Sequence, residues 1–255
     1  MVRPKKSLGQ HFLQDENIAR KIIGCLSRDV VNVIEVGPGK GILSKYLLEN
    51  PSLNPYFFEI DHEAVVYLRQ HYPVISDRLT EKDFLQADLS VIPAPFAIIG
   101  NFPYNISSQI LFHMLECRNS VIEVIGMFQK EVAQRIASTP GSKKYGILSV
   151  LLKAWFDIEY LFTVNESVFY PSPKVKSAVI RLRRNDTKTL DCKEELFFTT
   201  VKTAFNQRRK TLRNALKGMI TIGKLPLPQI QLLLDKRAEQ LSVSDFMELT
   251  QYIEG

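Results

Sequence analysis

An apolar run, Val31 to Val36 (VNVIEV), passes straight into Gly37-Pro38-Gly39-Lys40-Gly41, and the residues that follow, Ile42 to Leu48, have helical character. Three glycines in five residues at such a junction permit left-handed backbone and the close approach of a ligand. A strand, a glycine turn and a helix in that order form the opening unit of doubly wound α/β sheets. The spacing here is GxGxG, with Ile42 where a dinucleotide fold would carry its third glycine. No GK[ST] follows, so the turn is not a P-loop, and the glycine spacing disfavours a nicotinamide-dependent dehydrogenase.

The rest of the chain repeats that unit. Tyr56 to Ile60 reads as a second strand, a weaker third lies near Leu79 and ends at Asp83-Phe84, and Phe96 to Ile99 is a fourth. Val121 to Phe128 is a fifth, and Ile158 to Val164 and Ala178 to Leu182 are two more. Helices are expected at Gln14 to Leu26 (with Asp15 as N-cap), Glu63 to Gln70, Gln109 to Leu115, Lys130 to Ala137 and Tyr145 to Trp155. The last two strands are joined by a segment with Pro171 and Pro173 and no full helix, which favours an antiparallel pair at the end of a mostly parallel sheet. Alternating strands and helices place an α/β domain over residues 1–184. Beyond a polar linker from Asn185, the pattern is helical: Leu196 to Phe205, Arg208 to Leu216, Pro228 to Leu234 and Val243 to Ile253. Residues 185–255 therefore form a small α-helical domain.

Strand ends carry the chemistry. Glu59 closes the second strand at about the distance from the glycine turn at which an acid accepts bonds from ribose hydroxyls. Asp83 closes the third and is placed to accept from an adenine amino group. After the fourth strand come Asn101, Phe102, Pro103 and Tyr104. Pro103 has no N–H and a fixed φ, so the strand stops in a stiff turn that offers an amide, a carbonyl and an aromatic face, a set able to hold a planar amine. Each acid taken singly reads as a surface carboxylate or helix cap, and the Asn-Pro turn as an ordinary strand ending. Four successive strand ends so equipped make the coincidence hard to sustain.

Charge adds a partner class. The formal net charge is +6, and between Lys202 and Lys217 lie six basic residues and no acid. Such a cluster reads as phosphate contact, with a solvated basic helix face as the plain alternative. No apolar run approaches the ~20 residues of a membrane helix, and the start MVRPKKSLGQHF has no apolar signal-peptide core, so a cytoplasmic protein is expected. Three scattered cysteines and four histidines without ligand spacing predict neither disulfide nor metal.

Glu35 before the glycines completes ExGxGxG, an arrangement typical of methyltransferases that bind S-adenosylmethionine. The segments SLGQHFLQD, VIEVGPGKG, FFEID, IIGNFPYNIS, FQKEVAQRI, YGILSVL, VFYPSPKVKSAVIRL and AFNQRRKTLRNAL span residues 7 to 217. In that order they resemble the ribosomal RNA adenine N6,N6-dimethyltransferases, specifically the small-subunit enzymes. The chain departs from the usual pattern at His11, where many relatives have Asn, and at Phe102, where Leu is common.

The resemblance implies a Rossmann-like S-adenosylmethionine-dependent methyltransferase sheet, mostly parallel with one antiparallel strand, and a helical RNA-docking domain. It implies that His11, Leu13, Gly37, Gly39, Glu59, Asp83 and Asn101 line the cofactor. It makes Asn101, Pro103 and Tyr104 catalytic, with Phe169 stacking on the target base opposite Tyr104. Arg208, Arg209, Lys210 and Arg213 are the expected RNA contacts. The implied reaction dimethylates two adjacent adenosines near the 3′ end of small-subunit rRNA in a pre-ribosomal 30S particle, by a monomeric enzyme. Two other classes remain open on sequence: a non-catalytic assembly or transcription factor, and a methyltransferase acting on DNA or a protein amide.

Overall fold

The computed structural model of the chain describes residues 2–220 and 226–255 and divides it into two compact units. The first comprises residues 1–133 and 158–184, the second residues 134–157 and 185–255.

In the first unit, seven strands form one sheet: β1 (Asn32–Val36), β2 (Asn54–Glu59), β3 (Leu79–Glu81), β4 (Phe96–Asn101), β5 (Val121–Gln129), β6 (Phe156–Val164) and β7 (Ser177–Arg184). Their spatial order is β3-β2-β1-β4-β5-β7-β6. Neighbours from β3 through β5 run parallel, and β7 is antiparallel to β5. The expected mostly parallel sheet with one antiparallel strand is thus observed. Strands β1 and β4 are buried on both faces, which is why they read as unbroken apolar runs rather than alternating ones. Helices α1 (Glu16–Ile23), α2 (Ile42–Glu49), α3 (His62–His71) and α4 (Ser107–Glu116) belong to this unit. Asp15 caps α1 as expected, its side chain accepting the N–H groups of Asn17 and Ile18. Helix α5 (Lys130–Ala137) follows β5.

Chain order turns back at β1. The chain builds outward through β2 and β3, then returns to place β4 on the other side of β1. Register aligns Val36 with Phe58 and Glu35 with Ile99, so the carboxyl ends of β1, β2 and β4 open side by side at the switch point. That is where ligands bind in open α/β sheets. A separate two-stranded ribbon pairs Phe12–Leu13 with Phe169–Tyr170 and brings the N-terminal segment to this same unit.

The second unit holds α6 (Ile147–Lys153), α7 (Glu194–Asn206), α8 (Leu212–Ala215), α9 (Pro228–Leu234) and α10 (Val243–Glu254). An aromatic core organises it. Trp155 stacks on Phe198 at 5.8 Å and meets Phe197 edge-on at 6.3 Å, while Phe205 lies against Tyr145 and Phe246. The units part between Arg184 and Asn185, where the sequence reading divides the chain, but residues 134–157 leave the expected first domain. Residues 134–157 belong with the C-terminal helices, because the buried rings of Tyr145 and Trp155 pack on α7. The expected helix from Arg208 to Leu216 is corrected as well. Helix α7 stops at Asn206, and Lys210 N–H closes a turn on the carbonyl of Gln207 at 2.8 Å.

Beneath the turn that follows β4, Phe102 is buried edge-on to Phe128 at 5.2 Å. Room for its ring comes from two glycines. A Cβ on Gly126 would lie 2.5 Å from Phe102 Cε2, and one on Gly100 2.7 Å from Phe102 Cε1. The bulkier aromatic at position 102 is accommodated by these missing side chains. Gly126→Ala should therefore overpack this spot and destabilise the fold by about 1–3 kcal/mol, read as a lowered Tm in thermal unfolding.

Candidate active site

The glycine turn is held open by a carboxylate. Glu59, 3% exposed at the end of β2, accepts the N–H of Gly39 on Oε2 and that of Asp61 on Oε1, both at 2.9 Å. Burial pushes its pKa up, the two backbone N–H bonds oppose that, and the neighbouring Asp61 charge adds to it. One residue row back, Glu35 is wholly buried on β1 and accepts the Ser44 hydroxyl at 2.7 Å. Burial pushes Glu35 up to about 8, with the Ser44 bond opposing and the Glu59 charge adding. It ties β1 to the first turns of α2.

Gly37 has φ +69°, and a Cβ built on it meets nothing within 4 Å. It lines an open cavity of about 240 Å³. The left-handed backbone alone favours glycine here, and the absent side chain leaves that space open. Gly39 differs: at φ +57°, a Cβ would strike Phe12 Cε1 at 2.9 Å.

His11, Gly37, Gly39, Glu59, Asp83 and Asn101, the residues assigned to the cofactor, all line this one cavity. Leu13 does not; it borders a smaller adjoining cavity together with Glu35, Gly37 and Asn101. Asp83 lies two residues past β3 and accepts the N–H of Leu85 on Oδ1 at 3.0 Å. Sequence reasoning missed Phe84 and Ile60, which also line the cavity. Ile60 is 52% exposed between two buried acids. In the sequence Ile60 reads as one more apolar residue of the second strand, so nothing there marks it as exposed. Phe84 is fixed edge-on to Phe58 and His113. Acids that accept hydroxyl and amine donors, apolar walls and an open glycine cradle fit a nucleoside-bearing cofactor.

At the opposite wall, Asn101 Nδ2 donates to the carbonyl of His11 at 2.7 Å, which leaves Oδ1 as an acceptor. Pro103 carbonyl takes one bond, from the N–H of Ile106 at 3.2 Å, and keeps a second lone pair. Tyr104 hydroxyl bonds Ser177 Oγ at 2.6 Å, and its ring stacks with the His11 imidazole at 5.3 Å. His11 Nδ1 donates to the Pro171 carbonyl at 2.7 Å. His11 and Tyr104 also border a second groove of about 460 Å³, lined as well by Gln129 and residues 171–175. The two cavities thus share the wall formed by Gly9, Gln10, His11 and Tyr104, whereas Asn101 and Pro103 line the first.

Phe169 is not brought to this wall. It is 4% exposed and packs in the core with Leu13, its register partner, whereas Tyr170 beside it is 55% exposed. Successive strand residues face opposite ways, so Phe169 offers no ring face to the cavity.

The four basic residues divide into two pairs. Arg208 donates to the Lys143 carbonyl at 2.6 Å and lies 3.5 Å from Glu239 Oε2, and Arg213 pairs with Asp235 Oδ1 at 2.7 Å. Arg209 and Lys210 are exposed in the turn after α7, and their side chains have no hydrogen-bond or ion-pair partner among the described residues. Among the described residues no helix is long and apolar enough to cross a membrane, and no three acidic, His or Cys side chains are grouped to hold a metal.

Comparison with known proteins bears on this geometry. The family profile for ribosomal RNA adenine dimethylase matches residues 1–255. Ribosomal RNA small subunit methyltransferase A of Flavobacterium johnsoniae is 54% identical, over 100% of this chain and 97% of its own length. The protein of the same name from Cytophaga hutchinsonii is 53% identical, over 100% and 98%. Among solved structures, the 23S rRNA methyltransferase ErmE is similar at TM-score 0.70 and 25% identity, covering 96% of this chain and 100% of that one. A dimethyladenosine transferase from Plasmodium falciparum shares the fold at TM-score 0.74 and 24% identity, covering 94% and 96%. A glycine cradle backed by a buried acid, an acceptor-lined turn after the fourth strand and a match along the whole chain converge: the chain belongs to the ribosomal RNA adenine dimethylase family.

Proposed function

We propose that this enzyme uses S-adenosylmethionine to dimethylate N6 of two adjacent adenosines near the 3′ end of small-subunit rRNA, acting on a pre-ribosomal 30S particle in the cytoplasm. The observation that carries the reading is Asn101, whose Oδ1 is left as an acceptor at the wall of a cavity that also holds the buried carboxylate of Glu59. Relatives named as small-subunit methyltransferases support that RNA as the substrate. The acceptor-equipped turn weighs against a non-catalytic assembly factor.

Glu59 is placed to accept ribose hydroxyls through the remaining lone pairs of both oxygens, and Asp83 to accept an adenine amino group through the oxygen not engaged by Leu85. Gly37 leaves room for the ligand, and Ile60 and Phe84 supply apolar faces. S-adenosylmethionine, when bound, supplies a methyl carbon made electrophilic by a sulfonium sulfur.

An adenine amine is a weak nucleophile because its lone pair is delocalised into the ring. Asn101 Oδ1 and the second lone pair of the Pro103 carbonyl accept its two N–H bonds and favour a pyramidal nitrogen with its lone pair aimed into the cofactor cavity. Positioning of this kind supplies much of the rate. With the cofactor bound, the amine lone pair would form the N–C bond as the S–C bond breaks and its electron pair stays on sulfur as a neutral thioether. The resulting ammonium would then lose its proton to solvent, so no strong base is required. The base must first leave its stack to reach the wall, and Tyr104, its hydroxyl anchored by Ser177, presents the ring on which it rests. Stacking of this kind is worth ~1–3 kcal/mol per base. Phe169 acts from behind, holding Leu13 and the N-terminal ribbon.

Asn101→Ala should lower turnover on unmodified small subunits by about 10²–10³ while cofactor affinity, measured by calorimetry, changes little. Turnover near the native value would remove Asn101 from its assigned role. Docking of RNA phosphates falls chiefly to Arg209 and Lys210, whose charges no described carboxylate neutralises. The double change Arg209→Ala, Lys210→Ala should weaken binding to small subunits and reduce the slope of log affinity against log salt by roughly one to two. An unchanged slope would place the phosphate contacts elsewhere.

A further inference from the structure

The N-terminal segment bonds both to the carboxylate end of the cavity and to the acceptor end. Lys5 Nζ donates to Asp61 Oδ1 at 2.6 Å and lies 3.3 Å from Glu63 Oε1. Gln10 Nε2 donates to Asp61 Oδ2 at 3.1 Å, and its Oε1 accepts the backbone N–H of Lys5 at 2.9 Å. Asp61, whose side chain is fully buried, also accepts the N–H of Glu63 at 3.0 Å as the cap of α3. Its own N–H is the one that Glu59 Oε1 accepts. The residue after Gln10 is His11, whose carbonyl takes Asn101 Nδ2.

An amide side chain has two faces of opposite polarity, and its neighbours decide which points where. Because the His11 carbonyl can only accept, Asn101 turns Nδ2 toward it and leaves Oδ1 as the free acceptor. If that carbonyl wandered, the amide could turn over and present N–H groups to an amine that also needs acceptors. The carbonyl is held on one side by the Phe12–Leu13 ribbon and the bond from His11 Nδ1 to the Pro171 carbonyl, and on the other by the bracing of Lys5 and Gln10 on one buried carboxylate. Capping α3 requires a single oxygen; Asp61 uses both.

We propose that Asp61 is a positioning residue for methyl transfer: by holding Lys5 and Gln10 it fixes the His11 carbonyl, and through it the orientation of the Asn101 amide. The proposal rests on the functional reading above and adds to it a link between the two ends of the cavity. Since Asp61 also donates to Glu59, the bracing is set beside the residue assigned to the ribose.

Asp61→Asn tests it. Asparagine is as good a helix cap as aspartate, so α3 keeps its N-terminus. Its Nδ2, however, would face Gln10 Nε2, donor against donor, while Gln10 Oε1 is already held by Lys5. With labelled S-adenosylmethionine and unmodified small subunits, kcat at saturation should fall about tenfold to a hundredfold, with Tm nearly unchanged. Lys5→Met, at a half-exposed position, should lower kcat less, and Lys5→Arg should restore it. A kcat for folded Asp61→Asn and Lys5→Met within about twofold of the native enzyme, whatever their Tm, would overturn the positioning role and leave Asp61 a helix cap. Failure of the native enzyme to methylate adenosine would instead sink the functional reading, so the two failures are told apart.

Discussion

The carboxylate of Glu59 is the interaction on which the cofactor end of the cavity depends. A glycine turn alone has no reason to keep one shape, because glycine visits many backbone conformations. Here Gly39 N–H is tied to an acid on the neighbouring strand, and the same acid takes the N–H of Asp61 at the start of α3. Two loops that follow two parallel strands are thereby locked to one side chain. Burying an acid has a cost, visible in its raised pKa, and the two N–H bonds offset part of it. Glu35 repeats the arrangement deeper down, with the Ser44 hydroxyl as its partner.

From that fixed end, order passes to the acceptor end through the first residues of the chain. The ribbon of Phe12–Leu13 with Phe169–Tyr170 holds the segment in place, and the Asn101 side chain is satisfied by its backbone. The apolar residues beneath do a separate task. Phe102, seated between Gly100 and Gly126, packs beneath the turn in which the chain leaves β4 at Pro103. Chemistry at the wall thus stands on packing below it and on hydrogen bonds beside it.

Much of this was legible in the sequence, for a physical reason. In a parallel sheet every strand delivers its carboxyl end to the same edge, so polar residues just after apolar runs converge without any knowledge of distance. Gly37, Glu59, Asp83 and Asn101 were found that way, and they do line one cavity. The pattern is silent where contacts are long-range. Residues 134–157 look like one more strand-to-strand connection, yet the rings of Tyr145 and Trp155 pack on α7 far along the chain. Phe169 was assigned by resemblance, but the pleat of a two-residue strand sends it inward and Tyr170 outward. The helix expected from Arg208 was undone by a turn at Gln207, and only the fold shows that Arg208 and Arg213 already have partners.

The central claim is that the acceptors after β4 hold an adenine amine while the cavity beside them holds a methyl donor. Nucleoside analysis tests it most directly: small ribosomal subunits lacking the modification are incubated with the enzyme and methyl-labelled S-adenosylmethionine, and their RNA is digested. Label recovered as N6,N6-dimethyladenosine is the expected result. Label in another nucleoside or in ribosomal protein, or no transfer despite measurable cofactor binding, would contradict it.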